Sequence, residues 1–259
     1  MYITEKFTSL DKRIIIQKKY HSHFAMPQKE KVKQKRLPKE KPTEEQQQRI
    51  NERLRVEKYV RILADNFFQG DYYLTFTTKE KMSPEEFKLE MKRFMDRLRK
   101  EVMKRTGAKP KFFKALENLK GQGRPHGHML INKFCEVEEI REVMARLWTA
   151  GFVRVEIYGG QIRDAHALSA YFTKQNKLEH GAKIDTSRGN LIRREPEKKV
   201  IHAETFRDEI KAPAGYVVVK DLSYNTVTAA GYDYQIAVFE KIERGKRHEK
   251  TDEIQNRRE

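Results

Sequence analysis

An α+β fold with a central antiparallel sheet follows from three features of the sequence. Strand-like and amphipathic helical segments succeed one another as β-α-β-β-α-β-α over residues 70–180. Gly121, Gly123 and Pro125 make the turn between the two adjacent middle strands. Each of the two helices between strands carries a single apolar stripe, which needs a sheet face to cover it. The order predicts a split β-α-β arrangement with two covering helices.

The elements can be justified in turn. Residues 1–42 are polar and basic, with a run from Lys29 to Pro42 that is dense in charge and holds two prolines. Such a segment predicts a flexible arm with no core of its own. At Thr43 the character changes. Thr43-Glu44-Glu45-Gln46 is a capping box, and Ile50, Leu54, Tyr59, Leu63 and Phe67 follow at near-helical spacing, so residues 43–69 read as an amphipathic basic helix. Asp71 to Thr78 is rich in aromatic and β-branched residues, as a strand is. Ser83-Pro84-Glu85-Glu86 combines a capping box with proline at the first helical position. The helix it opens runs through Phe87, Met91, Phe94, Met95, Leu98 and Val102 to Gly107. Lys111–Glu117 forms a second strand and the segment after Pro125 a third. Glu136–Trp148 is a further amphipathic helix, Phe152–Tyr158 a fourth strand, and Asp164 the expected cap of a helix through Tyr171 to about Leu178. Beyond it, residues 181–259 read as a C-terminal extension with strands at Tyr216–Lys220 and Tyr234–Phe239 and a charged tail.

Composition narrows the partners. The 259 residues include 55 Lys+Arg against 38 Asp+Glu, a formal net charge of +17. That surplus points to a polyanion, nucleic acid before an anionic membrane. No stretch approaches the roughly 18 apolar residues of a spanning helix. The N-terminus has no signal-peptide pattern, and the single cysteine, Cys135, excludes an internal disulfide, so a cytoplasmic protein is expected. No P-loop is present to suggest an ATPase.

The chemistry concentrates in Gly123-Arg124-Pro125-His126-Gly127-His128-Met129-Leu130-Ile131. On a strand, residues two apart point the same way, so His126 and His128 converge and can hold a divalent cation. Glu117, near the end of the preceding strand, is positioned to add an oxygen. Two imidazoles and a carboxylate suit Mg²⁺ or Mn²⁺, and zinc is disfavoured without a cysteine cluster. Tyr171 is the candidate nucleophile. Lys174, three residues on, shares its helical face and favours the phenolate, with Lys177 the second choice for that role. His21-Ser22-His23 has the same histidine spacing but no carboxylate or tyrosine motif in step with it, and reads as incidental.

These residues resemble the HUH endonucleases, the rolling-circle replication initiators and their relatives. The resemblance rests on Gly123–His128 as the metal motif, on Tyr171-Phe172-Thr173-Lys174 as the tyrosine motif Y-x-x-K, and on the strand Leu74-Thr75-Phe76-Thr77. The motifs occur in the family's order over roughly residues 70–180. Asn66-Phe67-Phe68-Gln69-Gly70-Asp71 and Ser187-Arg188-Gly189-Asn190-Leu191 are similar to initiators of bacterial phages, plasmids and mobile elements. One departure is Gly127, where the family usually has a bulky hydrophobic residue.

The resemblance implies a ferredoxin- or RRM-like core and a site made of Tyr171, Lys174, His126, His128 and Glu117. It implies nicking and rejoining of single-stranded or hairpin origin DNA in a bacterial host, through a 5′-phosphotyrosyl link and a free 3′-hydroxyl. Host helicase and polymerase are the further partners this suggests. Arg124, Lys177, Arg49 and Arg53 are the expected DNA contacts, adding salt-sensitive attraction to the backbone. With one tyrosine in the motif, a second cleavage calls for another protomer or another nucleophile, which leaves dimer action open. The alternatives are a relaxase or transposase of the same superfamily, and a non-catalytic RRM-like binder. The binder would leave the histidines and Tyr171 without a joint role.

Overall fold

The computed structural model of the protein describes residues 1–21, 43–120, 123–175, 183–228 and 232–242, and for residues 174, 175 and 183 the backbone alone. The described residues form two units. One takes in those within Ser9–Asp11 and Lys31–Glu195, the other those within Met1–Thr8, Lys12–Glu30 and Pro196–Glu259.

The larger unit holds the elements read from the sequence. Helix α1 (Glu44–Asn66) leads to β3 (Tyr72–Thr78), α2 (Pro84–Thr106), β4 (Phe112–Glu117), β5 (His126–Ile131), α3 (Val137–Leu147), β6 (Gly151–Ile157), α4 (Ile162–Gln175) and β7 (Lys183–Thr186). The fold class is α+β, as expected. The five strands stand in the order β6-β3-β5-β4-β7, with every pairing antiparallel. That order is consistent with the split β-α-β arrangement.

Alternation along the strands gives the sheet two apolar faces. On one, Leu74, Phe76, Phe112, Leu116, Met129 and Ile131 pack with the buried stripes of α2 and α3. Trp148 closes this layer, set edge-on to Phe76, Phe87 and Phe94, with its indole N–H donating to the Thr77 carbonyl at 2.9 Å. On the other face, Phe113, Ala115 and Leu130 pack with Ile62, Leu63 and Phe67 of the α1 end and with Ala165 and Phe172 of α4. Both capping boxes form, at Thr43 with Gln46 and at Ser83 with Glu86. Gly107 ends α2 in the left-handed conformation.

Two loop motifs tie the unit together. Asn66 donates to the Ile62 and Ile192 carbonyls and accepts from the Ile192 amide, each at 2.8 Å. The buried Asp71 carboxylate accepts from the Phe68 and Lys133 amides and the Asn132 side chain. Ser187 exchanges hydrogen bonds with Phe112, and Asn190 donates to the carbonyls of Lys109 and Pro110. The residues quoted for similarity to initiators, 66–71 and 187–191, thus hold loops in place.

Three expectations are corrected. The arm expected over residues 1–42 is, in its first part, a pair of strands, β1 (Tyr2–Thr8) and β2 (Ile14–Tyr20). They belong to the smaller unit, together with β8 (Glu197–Ile201), β9 (Tyr216–Val218), β10 (Tyr224–Val227) and β11 (Asp233–Lys241). Its six-stranded antiparallel sheet runs β10-β11-β2-β1-β8, with β9 on β11. The apolar Ile14 and Ile15 are buried, and their partners on β11 lie far along the chain, out of reach of a local reading. The rest of the arm, residues 22–42, lies outside the described residues, as do Ser22 and His23.

The basic helix expected over residues 43–69 forms as α1 and belongs to the larger unit. Only its second half is buried; Ile50 and Leu54 are exposed. The C-terminal extension is likewise divided: residues up to Glu195 belong with the larger unit, where β7 adds an edge strand to β4. Asp164 is not the residue before its helix. It sits in the first turn, and its carboxylate accepts from the Gln161 amide at 3.2 Å. No described helix is long and apolar enough to cross a membrane.

Candidate active site

Strand β5 delivers the two histidines. His126, His128 and Leu130 lie on the α1/α4 face, while Gly127, Met129 and Ile131 turn to α2 and α3. A Cβ on Gly127 would meet Leu116 Cδ2 at 3.1 Å and Met91 Cε at 3.4 Å. The space a bulky middle residue would occupy is therefore already filled from β4 and α2.

The neighbouring strands supply the rest. Glu117 pairs across from His126 on one side, and Thr75 across from His128 on the other. Helix α4 packs on this face and brings Tyr171 over the histidines. Glu117 Oε2 lies 3.1 Å from His126 Nε2, and Glu117 Oε1 lies 3.8 Å from His128 Nε2. The Tyr171 hydroxyl donates to Glu117 Oε2 at 3.1 Å and lies 3.2 Å from His128 Nε2. One ligand atom from each of Glu117, His126 and His128 falls within 4.8 Å of the others.

The far nitrogens of both rings are also held. His126 Nδ1 is 3.2 Å from the Arg124 carbonyl, which also accepts from Asn118 Nδ2 at 3.1 Å. His128 Nδ1 lies 3.0 Å from the Tyr73 hydroxyl and 3.3 Å from Thr75 Oγ1, and the Tyr73 ring stacks on the imidazole. A proton on each Nδ1 leaves both Nε2 lone pairs for a cation.

Electrostatics separate the two rings. The hydrogen bond to Glu117 raises the His126 pKa, against the opposing effect of burial and with help from the Arg124 carbonyl. Burial lowers that of His128, against the pull of Glu117. Burial, with the adjacent Tyr171 and Glu117, pushes Tyr73 well above the usual phenol range, so Tyr73 remains a neutral hydroxyl.

The donor set could hold a metal ion. Glu117 is buried, and its Oε1 has no hydrogen-bond partner. A buried carboxylate oxygen without a donor is costly, and a cation held by Glu117, His126 and His128 would remove that cost. Cys135, the only thiol, lies in the α2/α3 layer and offers nothing here.

With the geometry in place, comparison with known proteins adds one finding. Residues 71–176 match the family of the replication-associated protein ORF2. It is a family of rolling-circle replication initiators. The ORF2-like stretch covers less than half of the chain, and all of Glu117, His126, His128, Tyr171 and Lys174 fall within it. No curated protein and no solved structure matches the chain significantly.

The other expected site residues are placed less fully. Lys174 lies one turn beyond Tyr171 in α4, where only the backbone is described, and Lys177 is outside the described residues. Arg124 is exposed just before β5, and Arg49 and Arg53 are exposed on the first half of α1. Sequence reasoning missed Tyr73 and Asn118. Tyr73 precedes Thr75 by the two residues that put both on one strand face. Asn118 adopts a positive φ of 56°, which asparagine tolerates, and this turns its side chain back toward Arg124.

Proposed function

We propose that this chain is an HUH-type, single-tyrosine nuclease with a ferredoxin-like core, which starts rolling-circle replication by nicking and rejoining single-stranded or hairpin origin DNA. The observation that carries this reading is the Tyr171 hydroxyl, 3.1 Å from Glu117 and 3.2 Å from His128. A nucleophile poised against a cation-type donor set is what phosphoryl transfer at tyrosine requires.

Mg²⁺ or Mn²⁺ held by His126, His128 and Glu117 would supply the positive charge that offsets the developing negative charge on the scissile phosphate. The chain's own residues do the rest. Tyr171 oxygen attacks phosphorus in line with the leaving oxygen. The Tyr171 O–P bond forms, the P–O3′ bond breaks, and the 3′-oxygen takes a proton to become a free hydroxyl. The phenol gives up its own proton, and the Lys174 ammonium favours the resulting phenolate. Reversal by a 3′-hydroxyl restores the DNA without ATP, because the phosphodiester energy is retained in the phosphotyrosyl bond. Tyr73 and Thr75 position His128, and the Arg124 carbonyl positions His126.

The test uses a labelled library of single-stranded hairpins with Mn²⁺, resolved on denaturing gels. Wild type is expected to form covalent adducts that disappear with chelator and with Tyr171→Phe. A Tyr171→Phe protein that still formed adducts would overturn the assignment. Binding without cleavage, with Mn²⁺ and with Mg²⁺ in its place, would favour the inert binder.

A further inference from the structure

The basic surplus of this chain is not confined to the histidine–tyrosine face. On the opposite side of the five-stranded sheet, beside β7, the C-terminal half of α2, the loop before β4 and the loop after β7 line an open cavity of about 630 Å³. That Phe112 lines it, and not Phe113, fixes the side: Phe112 packs with α2 and α3, Phe113 with α1 and α4.

The charges around the cavity are unbalanced. Arg99 is paired with Asp96 at 2.8 Å, and Asp185 lies 3.4 Å from Lys114, so these offset one another. Lys100, Lys109 and Arg188 also line the cavity and have no ion-pair partner among the described residues. Like charges are not gathered round a concavity at no cost; a polyanion relieves their repulsion. Asn190 holds the two loops together at this place, its side-chain amide donating to the carbonyls of Lys109 and Pro110.

The geometry points to a second nucleic-acid site, in which Lys100, Lys109 and Arg188 hold the phosphodiester backbone of a DNA strand. It lies on the sheet face opposite the one carrying Tyr171. The choice of DNA as occupant rests on the replication reading above; the site itself does not depend on the tyrosine chemistry. Holding a strand there keeps the DNA on the protein independently of the strand at Tyr171.

The experiment measures binding of a fluorescein-labelled single-stranded 30-mer to the full chain in chelator, where no cleavage occurs, over a range of salt concentrations. The site variant is Lys100→Ala/Lys109→Ala/Arg188→Ala. The control, Lys92→Ala/Lys104→Ala/Arg141→Ala, removes equal charge from α2 and α3 outside the cavity lining. Each lost phosphate contact should lower the salt slope by about 0.7, so the site variant should lose about 2 and bind roughly tenfold more weakly at moderate salt. The control should change binding by less than about threefold. The single variant Arg188→Glu should weaken binding in the same direction and guards against a folding defect in the triple. Equal loss in both triples would reduce the effect to net charge and overturn the proposal, as would an unaltered site variant. A nucleoside triphosphate that saturates the site at concentrations where it leaves bound DNA undisturbed would assign the cavity to a mononucleotide and overturn it too. If wild type binds through this site but forms no Tyr171 adduct, the nuclease reading fails and this site stands.

Discussion

At the scale of single residues, the site is built from a few contacts that each do one job. Tyr73 is the clearest case. It touches no expected substrate atom, yet its hydroxyl and ring fix His128 through the nitrogen that faces away from the cation position. Partners of this kind commonly matter roughly 10–100-fold for metal affinity. Tyr73→Phe keeps the stacked ring and removes the hydroxyl, so Mn²⁺ affinity by calorimetry should fall about tenfold while the melting temperature of the chelated protein moves little. An unchanged affinity would show that Thr75 alone orients the ring. Gly127 illustrates the opposite case, a position where a smaller residue than expected leaves no gap, because Leu116 and Met91 fill the space from the neighbouring elements.

At the scale of elements, helices α2 and α3 are joined by a small charge network as well as by their apolar stripes. Glu101 receives Arg105 at 2.7 Å and Arg146 at 3.0 Å, and Arg105 also reaches Glu139 at 2.7 Å. The hydrogen bonds from Arg105, then from Arg146, hold the Glu101 pKa below its ordinary value of 4.5, burial opposing them. A depressed carboxyl stabilises the fold fully above its unfolded pKa, and that contribution is lost as pH falls through the lower folded value. Glu101→Gln should therefore flatten the acid limb of a stability–pH profile below about pH 4.5 and lower stability at about pH 7. A variant with the wild-type acid limb would refute the linkage. The elements also mark what the sequence could disclose. Ser83–Glu86 and Gly107 delimit α2 by local chemistry, and the alternation at His126 and His128 needs only the strand itself. Strands β1 and β2 pair with each other, and Ile14–Ile16 is a strand-sized apolar run, but the partners that complete their sheet, β8 and β11, are nearly the whole chain away. The Glu117–His126 pairing lay between these extremes, since a short turn made it readable, whereas Asn118 and Tyr73 depended on the turn conformation and on strand order.

At the scale of the whole molecule, a cation at the candidate site is also a folding ligand. Anything that binds the folded chain alone stabilises it, by about 2.7 kcal/mol at a hundredfold excess over Kd. Wild type should accordingly melt higher in Mn²⁺ than in chelator. Glu117→Gln should abolish that gain, yet in chelator melt no lower than wild type, because it removes a buried carboxylate whose Oε1 has no partner. A chelated variant melting several degrees lower would mean that Glu117 serves chiefly as a structural partner of His126. The unpartnered oxygen thus sets stability against activity at one position. A selection for heat resistance carried out in chelator would be drawn to Glu117, so a screen for robustness would double as a pointer to the candidate site.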